Sequence, residues 1–153
     1  MKRVVKLLLK IFLIVIALIV LAVFAFLKIA EHREANYYNY TQTAGAIETE
    51  YAALGGMNVS YLEFNAINDV IGKYAVWYPS ELVDKEEKYP VVIFANGTGS
   101  TSATYKSFME HLSSWGFIAI GNDDKNTRTG ASLESTLQFM MQVNEDKSSI
   151  FYH

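Results

Sequence analysis

"VVIFANGTGSTSATYKSFMEHL", residues 91–112, is the stretch that decides the fold. Five apolar residues, 91–95, run into a loop of small residues. The loop runs into a segment whose apolar positions, Tyr105, Phe108, Met109, Leu112 and Trp115, fall at helical spacing. A run with no polar face predicts a strand covered on both sides, as in a parallel sheet. Gly116 stands where a glycine ends a helix. "FIAIG" at 117–121 then predicts a second buried strand. Two parallel strands joined by a helix require a right-handed crossover, so the class is α/β.

Working outward, "NVSYLEF" (58–64) and "KYAVWYP" (73–79) are rich in β-branched and aromatic residues and predict two strands. The turn-like "NAINDVIG" (65–72) between them predicts a hairpin, and "SELVDKEEKYP" (80–90) a charged surface loop. "SLESTLQFMMQVN" (132–144) predicts a helix with Leu133, Leu137, Met140 and Met141 on one face and Ser132 as its N-cap. The predicted order is β-β-β-α-β-α.

The N-terminal end is of another kind. Residues 11–27, "IFLIVIALIVLAVFAFL", contain no polar side chain. With their apolar neighbours they approach the ~20 residues needed to cross a bilayer. A cleaved signal peptide has a shorter apolar region ending at small residues, whereas Phe24, Phe26 and Leu27 crowd this end. An uncleaved signal anchor is therefore expected, with secretion after cleavage as the alternative. Lys2, Arg3, Lys6 and Lys10 precede the run and place that end in the cytoplasm, with the remainder extracytoplasmic. From Glu31 onward there are 8 Lys and Arg against 16 Asp and Glu, a net of −8, which argues against nucleic acid as a partner. Cysteine is absent, which removes disulfides and thiolate metal sites, and no histidine lies at metal-ligand spacing. The expected organisation is an anchor over 1–30, a spacer over 31–56 with one short helix (44–54), and a folded domain from 57 to 153.

What chemistry does the loop "NGTGSTS" (96–102) serve? A phosphate loop of the Walker type needs Gly-Lys-Ser/Thr, and there is no lysine. Gly97, Gly99 and Ser102 come within one residue of a dinucleotide fingerprint, with Asp123 near the place of a ribose-binding acid. The third glycine, however, is a serine, and the strand is the third of its domain. A loop that presents a backbone N–H to a developing oxyanion fits better.

Taken in order, Tyr89-Pro90, "VVIFANG", Tyr105, "MEHLSSWGFIAI" and "NDD" resemble the α/β-hydrolase superfamily, in its chlorophyllase-like, dienelactone-hydrolase-like and polyester-hydrolase-like branch. The resemblance covers about residues 58–144. It implies a serine hydrolase of esters or similar acyl substrates, working without a cofactor. It also implies that the loop after the third strand donates one backbone N–H to the oxyanion hole. By position that donor is Thr98, supported by Gly97 and Gly99, while Asn96 stands where histidine often precedes the glycine. The superfamily's nucleophile sits in G-x-S-x-G. No such motif occurs in these 153 residues, and "GTGST" has its serine one place late. His32, His111 and His153 are not near a serine that they could activate, and His111 is expected as an exposed surface residue. Ser100 and Ser102 read as loop or N-cap serines, and Asp123 and Asp124 as a solvated turn. No catalytic residue and no metal site is therefore expected in the chain. The expected protein is a partial, membrane-anchored serine hydrolase that is inactive alone, with the bilayer and, for the whole enzyme, a small ester as its partners. A non-catalytic anchored binding module and a dinucleotide-binding α/β domain are the alternatives.

Overall fold

Side chains alternate across a strand, and β2 (Lys73–Pro79) uses both faces for the core. Tyr74, Val76 and Tyr78 point to one side, Ala75 and Trp77 to the other, and all five are buried. The computed structural model describes residues 2–67, 70–84 and 87–152. Two compact units emerge, 1–40 and 41–153.

In the second unit β1 (Val59–Asn65) pairs with β2 as an antiparallel hairpin, from Val59 opposite Pro79 to Asn65 opposite Lys73. The centre of the turn read at 65–72 and residues 85–86 of the charged loop lie outside the described residues. β2 pairs antiparallel with β4 (Ile118–Asn122). β3 (Val91–Ile93) pairs parallel with β4, giving the order β1-β2-β4-β3. A 3-10 turn (Ser102–Tyr105) and the helix α3 (Lys106–Ser114) connect β3 to β4. The parallel pair and its helical connection bear out the α/β class. Helix α3 covers the face formed by Ala75, Trp77 and Ala119, into which Met109 is fully buried. Helix α4 (Ala131–Glu145) covers the opposite face, where Met140 and Phe151 join Tyr74, Val76, Tyr78, Ile118 and Ile120.

Three details differ from the sequence expectations. The strand at 91–95 is shorter and less covered than its apolar run suggested. Val91 is 44% exposed, because β3 is an edge of the sheet among the described residues. Its open side borders an apolar groove of about 430 Å³ that also touches Ile118, Leu137, Met141 and Phe151. Ser132 is not the N-cap of α4. Gly130 holds that position with φ 77°, and Ser132 is the second residue of the helix, buried in its first turn. The buried line of α4 is Ser132, Thr136 and Met140, while Leu137 and Met141 face the groove, about half exposed. α3 ends as its sequence predicts. Gly116 has φ 92°, Phe117 N–H donates to Leu112 O at 3.3 Å and Gly116 N–H to Ser113 O at 3.1 Å, the paired bonds of a Schellman end.

The segment before β1 packs against α3. α2 (Ala46–Ala52) brings the Tyr51 ring to 4.8 Å from Trp115. Trp115 Nε1 donates to Ala53 O (3.0 Å), and Met57 N–H to Ser114 O (3.1 Å).

In the first unit α1 runs unbroken over Lys2–Ala35, with its apolar side chains exposed. It is the one helix among the described residues long and apolar enough to cross a membrane, a requirement that a signal sequence also meets.

Candidate active-site loop

The loop that leaves β3 is fixed from below by amides. Asn96 is buried, and its Nδ2 donates to Asn122 O (2.7 Å), Asn122 Oδ1 (3.2 Å) and Asp124 O (3.0 Å). Asn122 is itself fully buried at the end of β4, where its Nδ2 donates to Thr136 Oγ1 (3.0 Å). Thr136 in turn donates to Ser132 O (2.7 Å). Thr127 Oγ1 donates to Asn96 O (2.8 Å). A chain of short polar side chains thus ties the start of the loop to β4 and to α4. Buried polar groups of this kind hold one geometry when they are satisfied. Asn96 Oδ1 is an exception, buried without a partner among the described residues.

Above this base the loop turns over four residues. Gly97 N–H donates to Tyr105 Oη (3.3 Å), Gly99 N–H to Lys125 O (2.9 Å) and Ser100 N–H to Gly97 O (3.0 Å). Thr98 is exposed, and its N–H alone of the four makes no hydrogen bond among the described residues. Gly99 has φ 81°, a conformation that favours glycine. Gly97 answers a different need, since a Cβ there would lie 2.7 Å from Tyr105 Oη. Ser102 is buried over Gly121, where a Cβ would come within 2.4 Å of the Ser102 Cβ. The close approach of loop and strand therefore depends on a glycine in the strand, not in the loop. Sequence reading did not single out Gly121, although a glycine inside an apolar strand signals a close backbone approach.

Of the other candidate residues, His111, Asp123 and Asp124 make structural hydrogen bonds. His111 is half-buried, not fully exposed as expected, and its Nε2 lies 2.8 Å from Tyr51 O, joining α3 to α2. His32 is in the separate N-terminal unit, and His153 lies outside the described residues. Asp123 Oδ1 accepts the Gly72 N–H (2.9 Å) and Asp124 Oδ1 the Asn126 N–H (2.8 Å), so both carboxylates serve turns. Among the described residues no group of three His, Asp or Glu side chains is placed to hold a metal.

The architecture defines an α/β protein whose loop after the parallel edge strand β3 exposes one backbone donor, the Thr98 N–H, that makes no hydrogen bond among the described residues. A family model described as platelet-activating factor acetylhydrolase, isoform II, matches residues 57–153. The chain belongs to this family, an α/β-hydrolase-type serine esterase family, as the ordered motifs of residues 58–144 implied. No curated protein matches the chain.

Proposed function

We propose that residues 57–153 are the oxyanion-donating, N-terminal part of a serine esterase, that residues 1–30 anchor it to a bilayer and that 31–56 join the two. The observation that carries the catalytic part is the Thr98 N–H, which has no hydrogen-bond partner among the described residues while the N–H groups of Gly97, Gly99 and Ser100 are all bonded. A donor already held in place is not lost to an internal bond and need not reorganise when charge develops on the substrate oxygen. The Asn96–Asn122 base supports the same reading, because it fixes the backbone on which Thr98 sits. The substrate class is a small acyl ester, and the acetyl ester in the family's description belongs to it.

By themselves these 153 residues supply no nucleophile, since G-x-S-x-G is absent from them. The second oxyanion donor, the N–H after the nucleophile, is absent with it. The chain alone is therefore expected to be catalytically silent. The cations before the apolar run favour an orientation with the N-terminus in the cytoplasm and the esterase part outside.

Incubation of the chain with a fluorophosphonate probe and with p-nitrophenyl acetate tests the silence. No labelling and no burst are expected. Stoichiometric labelling of Ser100 or Ser102 would overturn the reading and reveal a catalytic site of another design.

A further inference from the structure

Lys2, Arg3, Lys6 and Lys10 all lie in the first three turns of α1. At 3.6 residues per turn they fall within an arc of about 100°. The rest of the circumference carries Val4, Val5, Leu7, Leu8 and Leu9. All nine side chains are exposed, and none of the four cations has an ion-pair or hydrogen-bond partner among the described residues. No acidic residue occurs before Glu31. The other end of the helix is different. There Lys28 pairs with Glu31 at 2.7 Å, and Arg33 lies 5.1 Å from the centre of the Tyr40 ring.

Length adds a second constraint. The 34 residues of α1 make a helix about 51 Å long, against a hydrocarbon thickness of about 30 Å. A span that begins at Ile11 leaves the basic turns at the level of the headgroups. At that level the long stems of the four cations can lie along the neighbouring apolar side chains while their charged ends reach lipid phosphates.

We propose that residues 2–10 form an anionic-lipid-binding face, which gathers negatively charged headgroups around the anchor on the leaflet where the chain starts. This rests on the anchoring proposed above. It goes beyond orientation, because it assigns the four cations a ligand: the phosphate of an anionic phospholipid.

The test reconstitutes the full chain in phosphatidylcholine bilayers containing a minority of phosphatidylglycerol. Spin-labelled versions of each lipid then report their relative association at the protein boundary. The chain is expected to prefer phosphatidylglycerol by at least about five-fold, the effect of a single surface cation. The preference is expected to vanish in the variant Lys2→Gln, Arg3→Gln, Lys6→Gln, Lys10→Gln, and to weaken at molar salt. Equal association of the two lipids with the parent chain would overturn the inference, as would a preference that survives the four substitutions. Carbonate washing of the same membranes separates the two proposals. A retained chain without lipid preference refutes only the lipid face, whereas a released chain refutes the anchor and the lipid face together.

Discussion

At the scale of single residues, the loop depends on contacts with no slack. Gly121 lets Ser102 and Met109 pack on β4, since an added Cβ would meet the Ser102 Cβ at 2.4 Å and Met109 Cε at 3.2 Å. Gly121→Ala is expected to destabilise the second unit by about 1–3 kcal/mol through overpacking, read as a lowered urea midpoint. Asn96→Ala removes the amide that holds three acceptors and is expected to cost a similar ~1–3 kcal/mol. A third residue-scale expectation concerns the hairpin surface. Tyr61 Oη donates to Glu63 Oε1, and Lys73 Nζ lies 2.8 Å from the same carboxylate. Burial, then the bond to Glu63, raises the Tyr61 phenol from 10.0 to about 12. Lys73 and then Tyr61 hold Glu63 below its ordinary 4.5. A raised phenol stabilises the fold below its ordinary value, and that contribution is lost as pH climbs from 10.0 through about 12. A lowered carboxyl stabilises it above 4.5, and that contribution is lost as pH falls below. In Glu63→Gln the Tyr61 phenol is expected to titrate closer to 10.0, followed by its Cζ chemical shift. An unchanged titration would show that burial alone sets it.

At the scale of elements, what the sequence made legible follows from how local each signal was. β2 matches its predicted residues, 73–79, because its apolar run is bounded by Gly72 and Pro79 and both faces enter the core. The end of α3 was equally legible, since Gly116 announces a left-handed residue. The inward face of α4 was not. Its buried line begins with Ser132 and Thr136, which lie beneath Asn122 as parts of a polar network assembled from three distant segments. Hydrophobic spacing alone points to Leu133, Leu137, Met140 and Met141, of which Met140 is buried as expected while Leu137 and Met141 stay half exposed beside β3. The apolar run at 91–95 likewise reads as fully covered, although only one side of β3 is paired among the described residues. Phe94 N–H donates to Ile120 O, so the amides of Val92 and Phe94 face β4, and those of Val91 and Ile93 face the open edge. Hydrogen exchange is expected to be slow at Val92 and Phe94 and fast at Val91 and Ile93. Protection of all four would mean that another strand occupies the edge. An uncharged edge with no proline is prone to pair with other chains.

At the scale of the whole molecule, a chain whose residues 57–153 match a serine esterase family also carries a helix long enough to cross a bilayer. Fold and family agree on the kind of chemistry, and the Thr98 N–H is where this chain is proposed to contribute to it. The candidate donor is named through the family resemblance, which implies a backbone donor in the loop after the third strand. Its unpaired state could not be read from that resemblance, because it depends on Tyr105 and Lys125 bonding the flanking amides. The most direct measurement is the rate of p-nitrophenyl acetate hydrolysis after the chain is complemented with the nucleophile-bearing half of another family member, added as a separate chain. Thr98→Ala keeps the N–H and is expected to stay near the parent rate. Thr98→Pro removes it and is expected to lower kcat by about 10²–10³-fold with little change in KM. A Thr98→Pro enzyme as fast as the parent would contradict the assignment of Thr98 to the oxyanion hole.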